Sequence, residues 1–145
     1  MNRTKGFTLI ELLAVIAIIG ILSSIVLASL NTARGKGNDA KVKAQLSGLR
    51  ASAEIFYDNQ APNSYGITAS TCTTASSMFV NAASGMLQYT TQTNYPTNAT
   101  LSCFSSASAY AVSALLPGLG GTNSWCVDST GKSIPRTTAV TSTAC

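Results

Sequence analysis

The first feature of the chain is an uninterrupted apolar run near its N-terminus. Residues 7–30 are 24 positions dominated by Leu, Ile, Val and Ala, with Glu11 as the only charge. As an α-helix the run would be about 36 Å long at 1.5 Å per residue, which is enough to cross a hydrocarbon core of about 30 Å. The pattern predicts a membrane-spanning helix.

Three other interpretations compete with a spanning helix. A secretory signal has an apolar run of about 7–15 residues before a small-residue cleavage site; residues 26–28 are a loose match, but the run is longer and contains Glu11. A plain signal anchor explains the length of the run but gives no reason for Glu11 within it, because ionisable groups in hydrocarbon are costly and usually functional. A buried helix of a soluble protein would keep a polar face, which this run lacks.

A helical pattern of a different kind follows Gly37. Apolar residues recur there at alternating steps of four and three positions, which draws one stripe along a helix. The stripe consists of Val42, Leu46, Leu49, Ala53 and Phe56. It predicts an amphipathic helix that docks on a sheet and ends within residues 59–65, where Pro62 occurs.

Charged residues on this amphipathic segment suggest an N-cap, ion pairs on the helix surface and possible contact with nucleic acid. Asn38 or Asp39 is the expected N-cap. Asp39 with Lys43, and Arg50 with Glu54, have the i, i+4 spacing of helical ion pairs, each worth about 0.2–0.5 kcal/mol. The basic residues could bind DNA, but no aromatic residues interleave with them as stacking platforms. Nucleic acid is therefore disfavoured as a partner.

The C-terminal part of the chain contains a weak region followed by strand patterns. Residues 66–107 show little hydrophobic period and are expected to form a loop with a short helix near residues 76–87. Residues 110–116 alternate as a half-buried strand should, and residues 125–127 alternate again. The breaker-rich residues 117–123 would join these two strands as a hairpin.

A third strand is expected at Ile134 or at Val140. With the two helical segments, these strands predict an α+β fold. A long N-terminal helix, apolar first and amphipathic later, would pack on a small antiparallel β-sheet domain.

Charge is sparse and unevenly placed. Only 10% of the residues are charged, against about 25% in an average soluble domain. Lys and Arg outnumber Asp and Glu by nine to five, and no charged residue occurs between Asp58 and Asp128. The outer domain is therefore expected to be nearly neutral.

The cysteines indicate the compartment. The four are Cys72, Cys103, Cys126 and Cys145. Without any His or CxxC pair, zinc is disfavoured, and two disulfides in an oxidising compartment are expected. Pairing Cys72 with Cys103 and Cys126 with Cys145 would close two successive loops and tie down the C-terminus. Pairing Cys103 with Cys126 would instead staple the hairpin, and spacing alone does not choose.

Residues for catalysis are missing from the pattern. The chain has no His, and Asp128 is its only acid after Asp58. No Ser-centred elbow or phosphate-binding loop is present, so a nucleophile and a base cannot be assembled. We expect no enzyme activity, no cofactor and no metal site.

Residues 5–12, Lys5-Gly6-Phe7-Thr8-Leu9-Ile10-Glu11-Leu12, resemble the class III signal of type IV prepilins and type II secretion pseudopilins. The resemblance implies that a membrane-embedded prepilin peptidase cuts between Gly6 and Phe7 and then N-methylates Phe7. Many family members carry a Pro near the end of the apolar run, whereas this chain has none before Pro62.

The same resemblance divides the chain into four parts. Residues 1–6 would be the leader, residues 7–33 the transmembrane and polymerisation helix, residues 38–59 its amphipathic continuation, and residues 60–145 a Ser/Thr-rich, disulfide-bonded extracytoplasmic domain. The subunit would cross the cytoplasmic membrane once, contact lipid there, and then join copies of itself and other pilins in a filament. An inner-membrane assembly machinery is the further partner implied.

Orientation cannot be taken from the basic residues alone. Arg3 and Lys5 precede the run, and four basic residues follow it closely, so a count of cations places the C-terminal side in the cytoplasm. The cysteines and the resemblance both require the C-terminal domain outside, and the latter interpretation is favoured.

Two functions follow from the resemblance. One is the structural subunit of a surface filament used for adhesion, motility or uptake. The alternative is a pseudopilin of a type II secretion system. Relatives of the major pseudopilin often bind calcium through several carboxyl and carbonyl oxygens, and that variant is disfavoured because Asp128 is the only acid available in the outer domain.

Glu11 is expected to control assembly. An unpaired charge in hydrocarbon costs several kcal/mol, and no Lys or Arg lies between Phe7 and Ala33. Cleavage after Gly6 would create a cation at the α-amino group of Phe7, and methylation would leave it charged. The resemblance implies that this amine pairs with Glu11 of a neighbouring subunit. The alternative is that Glu11 only extends to the membrane interface, where it would need no partner.

Overall fold

The computed structural model describes residues 6–145, so residues 1–5 of the predicted leader lie outside the described residues. Its main elements are one long α-helix and a four-stranded antiparallel sheet. This arrangement confirms the α+β prediction. The chain divides after Arg34 into an N-terminal unit and a compact C-terminal unit, Gly35–Cys145.

The long helix α1 covers Leu9–Asp58, 50 residues. Among residues 6–145 it is the one helix long and apolar enough to cross a membrane, judged by length and composition. It continues without interruption through Gly20, Gly35 and Gly37. The predicted N-cap at Asn38 or Asp39 is therefore wrong, because the apolar and amphipathic segments form one helix. The helix ends at Asp58, one residue before the predicted range of 59–65.

The sheet lies entirely in the C-terminal unit. Its strands are β1 (Leu101–Ser105), β2 (Tyr110–Leu115), β3 (Ser124–Asp128) and β4 (Ser133–Arg136). They are antiparallel in the order β1-β2-β3-β4. The predicted hairpin is confirmed as β2 and β3, with Val112 opposite Val127. Ile134 lies in β4, whereas Val140 lies outside any strand.

The region from residue 66 to residue 107 contains more structure than its pattern predicted. A 3₁₀ turn covers Met78–Val80 and a short helix, α2, covers Met86–Thr90. The edge strand β1 was missed because its five residues, Leu-Ser-Cys-Phe-Ser, do not alternate apolar and polar side chains. Its register is fixed by β2, where Cys103 lies opposite Val112.

The core forms where α1 meets one face of the sheet. All five residues of the predicted apolar stripe are buried there, so the docking prediction is confirmed. They share one hydrophobic cluster with Tyr110, Val112 and Val127 from the middle strands. The 3.6-residue period of the helix and the two-residue period of the strands direct these side chains into the same layer.

The opposite face of the sheet is also covered, which the sequence did not predict. Ala111 and Cys126 point away from the helix and are fully buried against Val140, with Phe104 and Cys145 packed around them. The β2 strand is consequently buried on both faces rather than half-buried. The C-terminal residues, although they form no strand, act as the second layer.

Candidate assembly site at the N-terminal helix

The predicted cleavage junction lies just before the first turn of α1. Gly6, Phe7 and Thr8 have no helical assignment, and the helix begins at Leu9. Phe7 is 78% exposed. No other atom lies within 4 Å of the position that a Cβ would occupy at Gly6. The described side of the junction is therefore exposed.

Glu11 is held by Thr8 in a reciprocal pair of hydrogen bonds. The backbone N–H and the hydroxyl of Thr8 each donate to Oε2 of Glu11, both at 2.8 Å. The N–H of Glu11 donates to Oγ1 of Thr8 at 3.3 Å. With Thr8 at the N-cap and Glu11 at the third helical position, this is a capping box. The Thr-x-x-Glu spacing in the sequence is the signal for this cap, which was not among the predictions above.

The capping box gives Glu11 a second role beside the predicted one. It satisfies N–H groups that the first turn of a helix leaves without intrahelical partners. It supplies no cation, because Thr8 contributes only neutral donors. The negative charge of Glu11 therefore has no cation beside it within this turn, and in the chain as described the nitrogen of Phe7 is an amide.

The N-terminal unit exposes a continuous apolar surface. Every Leu, Ile, Val and Phe side chain from Phe7 to Leu30 is between 43% and 78% exposed. Exposed apolar surfaces larger than a few hundred Å² mark sites of contact with proteins or membranes. The unit therefore offers burial against lipid or other helices, with a single carboxylate near its start.

In the C-terminal unit, Asp39 joins the helix to the loop before β3. Its Oδ1 accepts a hydrogen bond of 2.8 Å from the backbone N–H of Gly118. The loop approaches so closely that a Cβ on Gly118 would overlap the carbonyl of Gly35. Asp39 is buried as a result. Its partner is 79 residues away, not the predicted Lys43.

Lys43 and Glu54 also have partners other than those predicted by i, i+4 spacing. The ammonium of Lys43 lies 4.5 Å from the ring centre of Trp125 on β3, within cation–π range. The hydroxyl of Tyr65 donates to Glu54 at 3.0 Å. Both contacts fix α1 to later parts of the chain, so these charges contribute to tertiary packing.

The C-terminus is fastened by Asp128 and a disulfide. Cys126 is bonded to Cys145, and the second bond joins Cys72 to Cys103, which is the first of the two pairings considered above. Asp128 is fully buried. Its Oδ1 accepts from the hydroxyl and N–H of Thr130 and from the N–H of Lys132, and its Oδ2 accepts from the N–H of Cys145.

These bonds determine the electrostatics of Asp128. Burial acts to raise its pKa, but the hydroxyl of Thr130 and the N–H groups of Cys145, Lys132 and Thr130 hold the pKa below the ordinary value of 3.8. All four contacts are donors to a carboxylate. The geometry therefore assigns Asp128 to fastening the C-terminus.

Comparison with known proteins places the chain in a family. A family model described as the prokaryotic N-terminal methylation motif matches residues 1–27. The type IV narrow pilus major component PilA5 of Thermus thermophilus is 32% identical over 111 residues, which cover 77% of this chain and 88% of that protein. No solved structure matches.

Other relatives match over shorter segments. The type IV wide pilus major component PilA4 of the same organism is 47% identical over 66 residues, 45% of this chain and 48% of that protein. The type II secretion system core protein G of Klebsiella pneumoniae is 36% identical over 56 residues, 39% of this chain and 40% of that protein. These matches span about half or less of each relative. Because the PilA5 match covers most of both chains, this chain belongs to the type IV pilin family.

Proposed function

We propose that this chain is a structural subunit of a type IV pilus filament that polymerises through the apolar half of α1. The observation that carries the proposal is the exposure of every large apolar side chain from Phe7 to Leu30. Such a surface is stable in lipid, and then among the helices of other subunits, but not in water. The relatives named as major pilus components support the same assignment.

The subunit is made as a precursor and processed at the Gly6–Phe7 junction. A prepilin peptidase removes residues 1–6 and methylates the new amine of Phe7. Cleavage removes Arg3 and Lys5, so the formal side-chain charge falls from +4 to +2. The matching methylation-motif model supports this step.

The C-terminal unit lies outside the cytoplasmic membrane, and the chain crosses that membrane once. The two disulfides support this orientation, because such bonds form and persist in oxidising compartments. The short leader then remains on the cytoplasmic side, within reach of the peptidase.

Assembly depends on Glu11 of one subunit and the amine of Phe7 of the next. The capping box holds the carboxylate at the start of the helix with only neutral donors. Pairing with a neighbour's charged amine supplies the missing cation and brings the incoming helix into register. The pair forms in an apolar environment, where an unpaired charge is costly.

Intact-mass measurement of protein from sheared filaments tests the proposal. The expected mass is that of residues 7–145 with one methyl group on Phe7 and two disulfides. A mature N-terminus at Ser29, or an uncut Met1 in the filaments, would contradict it. Failure to recover any filaments from a host that carries an active prepilin peptidase would contradict the structural role.

A pseudopilin of a type II secretion system is the second candidate. The match to core protein G of Klebsiella pneumoniae favours it specifically. Deleting the chain distinguishes the two roles, since a pilin deletion removes surface filaments and a pseudopilin deletion stops export of folded proteins. The type of assembly ATPase and secretin encoded beside the chain gives an independent answer.

A further inference from the structure

Three exposed lysines occur at the start of the C-terminal unit, soon after the apolar run. They are Lys36, Lys41 and Lys43. Lys36 follows Leu30, the last large apolar residue of the run, by six residues. Six residues of α-helix rise by about 9 Å, which is comparable to the Debye length of about 8–10 Å at physiological salt. Lys36 is therefore close enough to the end of the span to be attracted by a charged membrane surface. Lys41 and Lys43 follow Leu30 by 11 and 13 residues, about 17 and 20 Å along the helix, so the attraction on them is weaker at this salt concentration.

The lysines flank the docked face of α1 on both sides. Lys36 and Lys43 are seven residues apart and share one side of the helix, because successive residues are separated by about 100°. Lys41 lies about 140° from Lys36 around the helix axis. It therefore borders the opposite edge of the buried stripe, which includes Val42 and Leu46. The sheet therefore leaves all three side chains exposed.

Acids that could neutralise the lysines are committed elsewhere. Asp39 is the only acid among residues 34–50, and it is buried with Oδ1 bonded to Gly118. The next acids along the helix, Glu54 and Asp58, follow Lys43 by 11 and 15 residues, about 17 and 23 Å along the axis. They are too far from the lysines to pair with them within one chain.

The position of the lysines also works against the orientation proposed above. Basic residues close to a span favour the cytoplasmic side, yet these lie on the side assigned to the exterior. The anionic groups nearest to the end of a span are the phosphates of phospholipid headgroups. Basic residues near a membrane surface are attracted to such groups when the lipid is anionic.

Nucleic acid fits the same charges less well. The structure brings one aromatic residue, Trp125, to the lysines, although none interleaves in sequence. The ammonium of Lys43 covers a face of that ring at 4.5 Å, so this face is closed to a stacked base. Sequence-independent binding of single strands relies on such stacking.

We propose that Lys36, Lys41 and Lys43 bind the phosphate groups of anionic phospholipids at the outer surface of the membrane and hold the subunit there before assembly. This inference rests on the membrane anchoring in the proposed function. Lysine suits the role because its ammonium carries three donors on a flexible stem. The bound lipids are released when the subunit leaves the membrane for the filament.

The test uses the processed full-length chain in nanodiscs containing equal amounts of phosphatidylglycerol and phosphatidylcholine. Native mass spectrometry counts the lipids that remain bound after partial release. Phosphatidylglycerol is expected to be retained in excess by the wild type. The double variant Lys36→Gln/Lys41→Gln leaves the Lys43–Trp125 contact intact. At low salt, this variant is expected to lower the ratio of retained phosphatidylglycerol to retained phosphatidylcholine about fivefold for each lysine removed.

Two matched variants make the test specific. Lys36→Arg/Lys41→Arg keeps the charge and should keep the excess. Lys132→Gln removes one positive charge from an exposed lysine of the β3–β4 turn and should leave the ratio unchanged, whereas Lys36→Gln alone should lower it. Equal retention of both lipids by the wild type, or an equal loss in Lys132→Gln, overturns the inference.

Competition with nucleic acid tests whether the lysines bind lipid or DNA. A DNA oligonucleotide that displaces phosphatidylglycerol from the wild type at equal phosphate concentration overturns the assignment to lipid. The readout needs no filament, so its failure leaves the proposed filament role standing. If the wild-type chain retained phosphatidylglycerol in excess but formed no filaments, only the proposed filament role would be contradicted.

Discussion

The two halves of α1 place the same kinds of side chain in opposite environments. Ile16 and Leu22 in the apolar half are 56% and 57% exposed, whereas Leu46 and Leu49 in the amphipathic half are fully buried. The second half needs only a stripe of apolar residues because the sheet covers just that stripe. An all-round apolar helix needs a solvent or partner on every side, and this difference divides the chain into an anchor and a folded domain.

Polar groups follow the same division. In the N-terminal unit, Glu11 is satisfied locally by Thr8, three residues away. In the C-terminal unit, Asp39 accepts from Gly118 and Oδ2 of Asp128 accepts from Cys145, 79 and 17 residues away. Local bonds can form in an isolated helix, whereas the distant ones require the fold. Substitutions in the two units should therefore affect different measurements.

The largest expected effect is on assembly. Glu11→Val should leave the precursor inserted and cleaved but should abolish filaments, because the amine of Phe7 loses its proposed partner. Sheared filaments are counted, and intact mass verifies cleavage. Filaments at the wild-type yield would contradict the assembly role of Glu11.

Two control variants separate the charge of Glu11 from its capping role. Glu11→Gln keeps a side-chain acceptor for the capping box and removes the charge, so it should fail as Glu11→Val does. Thr8→Val removes the capping hydroxyl and keeps the carboxylate, so it should still assemble. The opposite ranking would make the capping box, not the charge, the feature that assembly requires.

The next effect separates buried from exposed leucine. Leu46→Ala should lower the free energy of unfolding of the C-terminal unit by about 2–5 kcal/mol, because it leaves a cavity in a filled core. Leu22→Ala should not change that free energy. Denaturation of both variants in detergent can be followed by the fluorescence of Trp125, the only Trp in the chain. Equal losses would remove the distinction between the two halves of the helix.

A smaller effect is expected at the contact between helix and loop. Gly118→Ala should lower the free energy of unfolding by about 1–3 kcal/mol, as overpacking usually does, because its Cβ would overlap the Gly35 carbonyl. Gly37→Ala, where nothing lies within 4 Å of a Cβ, should instead gain up to about 1 kcal/mol of helix propensity. Unfolding curves of both variants decide whether the loop is packed this tightly.

The smallest effect is a pH dependence at Asp128. Its pKa is lowered in the folded state, so its stabilising contribution is present above the unfolded pKa near 3.8 and is lost as the pH falls through the lower folded value. The free energy of unfolding should decrease below about pH 4. Asp128→Asn should be less stable at neutral pH and should show a shallower decrease. Identical slopes for both proteins would show that Asp128 does not contribute to the acid sensitivity.

Sequence alone determined the features that depend on local periodicity. The apolar run, the stripe ending at Phe56 and the β2–β3 hairpin were each predicted from repeats of 3.6 or two residues. The prepilin-like motif at Gly6 and Phe7 was also recognised directly, because it is a run of consecutive residues. The capping box was present in the same residues and required only the Thr-x-x-Glu spacing.

Tertiary structure decided the features that depend on distant partners. Asp is a residue type that favours N-cap positions, so the sequence suggested that role for Asp39. Its carboxylate instead accepts a hydrogen bond from the N–H of Gly118, because the loop packs against the helix. β1 and the covering of Ala111 by Val140 likewise gave no local pattern. A local pattern records which face of an element will be buried, but a hydrogen bond or contact across many residues exists only after packing has brought both partners together.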